Sequence, residues 1–141
     1  MIRKGKDVTL LAVGSMVLLA EEVAVVLTSI GIDATVINAR FVKPLDEKCI
    51  LHHASQTGVL YTLEEHVLQC GFGSAVMEML LSRGINGVTV QSFGIPDNFV
   101  EHGNPALLMA RYGLTVEQVA RAISEKFVRK NYPRKLRLAP N

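Results

Sequence analysis

Residues 8–13 are apolar at nearly every position and rich in β-branched side chains, the pattern of a strand covered on both faces. Gly14-Ser15 breaks the run. Helical spacing then takes over from Met16 to Ser29, with Ser15 placed as N-cap and Gly31 placed to stop the helix in the left-handed region. Only Glu21, Glu22, Thr28 and Ser29 interrupt the apolar surface of this helix, so good coverage is expected. A second strand is expected over 34–39. Pro44 bars further pairing, and Asp46 is placed to cap a short helix through Ile50, Leu51 and Ala54. A third strand over 59–63 leads through an acidic turn and a Gly-Phe-Gly-Ser segment into a helix over 75–83. That helix turns Met77, Leu80 and Leu81 to one face and stops at Gly84, and a fourth strand follows over 88–93.

After Phe93 the pattern becomes a loop over 94–103. Asn104-Pro105 is a strong helix start, since Asn caps while Pro fits the first helical position without losing a needed donor. That helix ends at Gly113. Thr115 with Gln118 has the spacing of a capping box, and Leu114 with Val119 that of a hydrophobic staple. Val116, Val119, Ala120, Ile123 and Phe127 recur at helical spacing, which predicts a last helix ending near Phe127 and laying one stripe on the sheet. Strands alternating with helices imply parallel strands joined by right-handed crossovers, an α/β sandwich.

With 141 residues and 49% hydrophobic content, the chain can bury one sizeable core. No apolar run reaches the roughly 18 to 20 residues of a membrane span. The basic lead over 1–7 lacks a signal-peptide pattern, and Cys49 and Cys70 lie far apart with no zinc-ligand spacing, so a soluble protein of a reducing compartment is expected. Five of the 15 basic residues fall in the acid-free tail 128–141, leaving 10 basic groups against 13 acidic ones over 1–127. The folded part is thus mildly acidic, which speaks against nucleic-acid binding. The tail, with Pro133 and Pro140 and no sustained apolar face, is expected to be mobile or attached elsewhere.

Ligands of an open parallel sheet gather beyond the carboxyl ends of its strands, where strand order reverses. With the order second, first, third, fourth, the turns at Gly14-Ser15 and 64–74 would flank that point. Glycines opening a helix favour close backbone approach and an anion, and Glu64, Glu65 and His66 are candidates for base, orienting acid and shuttle beside it. Against chemistry, the sequence holds no Gly-x-Gly-x-x-Gly after the first strand, no Gly-Lys-Ser/Thr phosphate loop and no Gly-x-Ser-x-Gly elbow. Asn38 is not the acidic ribose ligand of a dinucleotide fold. His52 and His53 are adjacent and point different ways on a helix, which disfavours joint metal ligation. His102 reads as a loop residue, Ser15 and Ser74 as caps, and Met77 and Met79 as packing residues.

The segments 8–15, 38–46, 62–66 and 71–76 together resemble the C-terminal domain of the transketolase superfamily. The loop 94–103, followed by Tyr112-Gly113-Leu114-Thr115, is similar to its 1-deoxy-D-xylulose-5-phosphate synthase branch. The resemblance covers roughly 3–127. It implies a three-layer α/β/α sandwich with a mostly parallel sheet of about five strands, one edge strand being antiparallel and residues 1–6 its remnant. It implies a parent enzyme that uses thiamine diphosphate and Mg²⁺ to join a two-carbon unit from pyruvate to glyceraldehyde 3-phosphate. The cofactor and catalytic residues of that family belong to two preceding domains, so no catalytic, cofactor or metal residue carries over, and the chain alone is expected to be inactive. The implied partners are those preceding domains and a second subunit of the parent homodimer, with no nucleic acid and no membrane. The implied location is cytoplasmic, or plastid in a plant. Glu64, Glu65, His66, Gly71, Gly73, Ser74, Asp97 and His102 are the candidate interdomain or dimer contacts. Two rival expectations are a free-standing small-anion or nucleotide-binding module and the C-terminal domain of a 2-oxoacid dehydrogenase β subunit, the latter opposed by the 94–103 loop.

Overall fold

The computed structural model describes residues 1–131. The elements are β1 (Val8–Ala12), α1 (Met16–Ser29), β2 (Ala34–Asn38), α2 (Glu47–Thr57), β3 (Val59–Val67), α3 (Phe72–Ser82), β4 (Thr89–Ile95), α4 (Pro105–Arg111) and α5 (Val116–Asn131). The four strands are parallel in the order β2-β1-β3-β4, as the alternating pattern required. The switch point therefore lies between β1 and β3.

A fifth strand is only begun. Arg3 forms one antiparallel bridge with Val36 on the free edge of β2. Beyond it the Thr35 hydroxyl replaces the main-chain ladder, accepting from the Gly5 N–H at 2.9 Å and donating to the Gly5 carbonyl at 2.8 Å. Side-chain bonds of this kind satisfy the backbone without extending a strand, which is why the sheet has four strands and not five.

Helices α1 and α5 cover one face of the sheet, and α2 and α3 the other. Leu10, Leu27, Leu63 and Ile123 belong to the first core; Leu11, Ile50, Leu60 and Phe72 belong to the second. Both faces of β1 are buried throughout, as its unbroken apolar run demands. Asp46 caps α2 by accepting from the Cys49 N–H at 3.1 Å, and Asn104 caps α4 by accepting from the Ala106 N–H at 2.9 Å.

Several local expectations are corrected. Helix α1 is not covered all round: it is packed between the sheet and α5, and Leu18 and Val25 stay exposed on its outer side. Helix α3 buries Phe72, Val76, Met79 and Leu80, while Met77 and Leu81 point outward. The buried face is the one carrying Phe72, Val76, Met79 and Leu80, which packs with Leu11 and Leu60 of the sheet. The stripe on α5 packs chiefly on α1 and reaches the sheet's core from there. Only half of the expected capping box forms: Thr115 Oγ1 accepts from the Gln118 N–H at 3.3 Å, but the Gln118 side chain turns to the Ala110 carbonyl. Helix α5 runs to Asn131, one turn past Phe127, since no breaker precedes Pro133. The rest of the basic tail expected over 128–141 lies outside the described residues.

Candidate functional site

The acidic turn expected after the third strand is extended chain. Strand β3 continues through Glu64, Glu65 and His66 to Val67, and its pairing with β4 slips between Leu63 and Val67. On β4 the corresponding step is only from Phe93 to Ile95, so extra residues of β3 bulge there. Gly94 makes room for the bulge: a Cβ on it would stand 3.1 Å from Glu64 Cγ and 3.0 Å from the His66 carbonyl oxygen.

Strand alternation sends neighbouring side chains to opposite faces. Glu64 therefore points to the α3 side and Glu65 to the α1 side. Glu64 is fully buried, and its carboxyl group sits against the first turn of α3. One oxygen accepts from the Phe72 N–H at 2.6 Å and the other from the Gly73 N–H at 2.8 Å. Those are orphan donors that a helix start must satisfy. The anion called for by the glycine-led helix is thus supplied from within the chain. Glu65 is exposed and accepts from the Ser15 hydroxyl. Ser15 consequently makes no side-chain cap on α1, contrary to expectation. The two acids tie β3 to the entry of a helix on each face, the Ser15–Glu65 bond spanning the switch point between β1 and β3.

The glycines serve close approach. A Cβ at Gly71 would overlap the Glu64 carboxyl group, and one at Gly73 would overlap Ser92 Oγ and stand 2.6 Å from Thr62 Oγ1. Thr62 and Ser92 are themselves hydrogen-bonded at 2.8 Å across β3 and β4. Ser74 donates to the Leu68 carbonyl at 2.7 Å and so ties the β3–α3 loop to its helix. Cys70 in that loop and Arg40 after β2 are the non-glycine residues with positive φ among those described, at 58° and 60°. Both lie in loops at the carboxyl end of the sheet.

The candidate acid–base set does not assemble. Glu64 is occupied by two backbone donors, Glu65 faces the other way, and His66 is exposed at the strand's end. His66 and Glu64 share with Val42, Gln69 and Cys70 a shallow open depression, not an enclosed pocket. Asp97 and His102 are exposed in the β4–α4 loop, apart from the Glu64–Ser74 cluster in the sequence and on a different loop. Their neighbour Glu101 pairs with Arg111 at 2.9 Å. His52 and His53 touch edge to face with ring centroids 5.0 Å apart, and burial lowers the pKa of His53 from its ordinary value, as does His52 beside it. Among the described residues no three His, Cys, Asp or Glu side chains are grouped to hold a metal ion. The donor set therefore does not fit a diphosphate held by Mg²⁺, which needs several oxygen ligands together. No described helix is long and apolar enough to cross a membrane. Sequence reading missed the spacer Gly94 and the Thr62–Ser92 pair; their signal, a lone glycine and two small polar residues inside strands, is generic.

The family model for the transketolase C-terminal domain matches residues 1–119. Among curated relatives, the 1-deoxy-D-xylulose-5-phosphate synthase of Pelotomaculum thermopropionicum is 64% identical over 137 residues, covering 97% of this chain and 22% of that enzyme. The enzyme of the same name from Desulforudis audaxviator is 56% identical over 140 residues, covering 99% and 22%. The chain thus spans about a fifth of the length of these relatives. Among solved structures, a split-gene transketolase in an inactive beta4 tetramer superposes with a TM-score of 0.81 at 36% identity, covering 89% of this chain and 41% of that one. A Campylobacter jejuni transketolase, at 23% identity and a TM-score of 0.58, shares the fold.

Proposed function

The chain belongs to the transketolase C-terminal domain family, and from that premise we propose that it is the structural and assembly domain of a 1-deoxy-D-xylulose-5-phosphate synthase. In this reading the thiamine diphosphate, the Mg²⁺ and the catalytic groups belong to preceding domains of a cytoplasmic parent enzyme that works as a homodimer. The parent condenses pyruvate with glyceraldehyde 3-phosphate and releases CO₂. The high identity to synthases over nearly all of this chain supports the assignment to that branch.

The observation that carries the non-catalytic role is Glu64. It fills the glycine-led start of α3 at the switch point with the chain's own carboxyl group. A free-standing anion-binding module would need those N–H groups for its ligand. The split-gene transketolase chain, inactive as a tetramer of its own kind, offers a parallel for a part of such an enzyme without activity. On this reading Glu65 and His66 at the end of β3, Ser74 in the first turn of α3, and Asp97 and His102 in the β4–α4 loop face other domains or a second subunit. Gly71 and Gly73 allow the close approach at the start of α3, and Glu64 holds that start from inside.

The test is direct. The purified chain, supplied with thiamine diphosphate, Mg²⁺, pyruvate and glyceraldehyde 3-phosphate, yields no deoxyxylulose phosphate, and calorimetry with phosphate, nucleotides or thiamine diphosphate shows no stoichiometric binding. Turnover by the chain alone would end the proposal, and tight binding of any of the three ligands would return it to the binding-module class.

A further inference from the structure

The outer face of α1 carries apolar groups that none of the described elements covers. Leu18, Glu22, Val25 and Ser29 are all exposed and follow one another every three or four residues, so they stand in one line along the helix. Leu18 and Val25 are 68% and 64% exposed. The charged residues of α1 are Glu21 and Glu22, with no base among its 14 residues. The face is therefore apolar and acidic together.

The sequence supplies a segment of the opposite kind. Residues 132–141, which follow the described ones, carry Arg134, Lys135 and Arg137 and no acid. Pro133 and Pro140 bracket the stretch and disfavour a helix in it. In an extended chain alternate side chains share a side, which groups Arg134, Leu136 and Leu138. Reach is sufficient as well. Helix α5 packs on α1, so the polypeptide leaving α5 after Asn131 starts beside that helix. Ten extended residues span at most about 33–36 Å, whereas the 14 residues of α1 are about 21 Å long.

We propose that the segment 134–138 docks on the outer face of α1, with Leu136 and Leu138 against Leu18 and Val25 and its basic groups on Glu21 and Glu22. The long stems of Lys135 and Arg137 let their charged ends bend back to the acids from the outer side of the segment. The competing surface is the outer side of α3, where Met77 and Leu81 are exposed. It lies on the opposite face of the sheet from α5, and the segment would have to round an edge to reach it. The contact is internal to the chain and stands apart from the assembly role. Its consequence is that the α1 side of the domain is closed to other apolar partners.

Methyl NMR of the 141-residue chain reads the contact directly. Cross-relaxation is expected between the methyl groups of Leu136 or Leu138 and those of Leu18 or Val25. In the Glu21→Lys/Glu22→Lys variant that signal is lost, and trypsin cleaves after Arg134 and Arg137 about tenfold faster than in the wild type, as release of a docked segment requires. Absence of the signal in the wild type, methyl contacts to Met77 and Leu81 in its place, or equal cleavage rates would each overturn the proposal. Circular dichroism checks that the charge-reversed chain is folded. If it is not, Leu136→Ser/Leu138→Ser, which leaves every described residue intact, decides by the same cleavage rate.

Discussion

Glu64 shows how one side chain sets the character of the site. Its two oxygens hold the Phe72 and Gly73 N–H groups, both buried in the first turn of α3, where no intrahelical carbonyl reaches them. Truncation strands two donors, each costing about 1–3 kcal/mol when left unsatisfied. Glu64→Ala is therefore expected to lower the unfolding free energy of the chain by about 2–5 kcal/mol in urea titration. Glu64→Gln keeps one acceptor but turns an amide NH₂ toward a backbone N–H, and is expected to recover less than half of that loss. Equal stability of wild type and Glu64→Ala would mean that the cap is dispensable. The sequence showed the acids and the glycines but misassigned what joins them. Local rules recognise a cap two or three residues away, whereas Glu64 reaches α3 from eight residues upstream through a strand bulge.

At the scale of elements, the apolar periodicities located all four strands, while boundaries shifted wherever tertiary contacts replaced local signals. Helix α3 began early because its cap comes from β3. Strand β3 ran long because polarity at 64–66 does not prevent extension when one acid is capped inside and the next is held by Ser15. The rudimentary edge strand could not be sized from the sequence, since the Thr35 hydroxyl that stops it is an ordinary strand residue. The close seating of α3 on β3 and β4 depends on Gly73, whose missing Cβ leaves space for the Thr62–Ser92 pair. Gly73→Ala must push the helix outward or break that pair, and overpacking of this kind costs about 1–3 kcal/mol. The expected outcome is a lower melting temperature together with faster amide exchange in α3 than in α1. Uniform exchange across both helices would show that the strain is not carried by the α3 interface.

For the molecule as a whole, the two ends of the sheet have different duties. The amino end closes with short turns, and the carboxyl end carries the Ser15–Glu65 tie, the bulge, the strained Cys70 and Arg40, and the exposed phenylalanines. None of this polarity could be read from composition, because exposure is a property of the assembled loops and not of the residues that make them up. The parallel order itself, once inferred, named the end where function gathers. If the carboxyl end faces the rest of the enzyme, as the assembly role holds, the two ends will tolerate change unequally. Inserting Gly-Ser-Gly between Asn86 and Gly87 lengthens an exposed turn at the amino end, which costs little in loop-closure entropy. The parent's kcat/KM is expected to stay within about twofold. The same insertion between Asn98 and Phe99 alters the β4–α4 loop at the carboxyl end, and is expected to lower kcat/KM by about tenfold while far-ultraviolet circular dichroism stays unchanged. Steady-state kinetics on both full-length variants checks the difference. Equal tolerance at the two ends would mean that the preceding domains are held elsewhere on the fold, and that the exposed rings at the carboxyl end need another explanation.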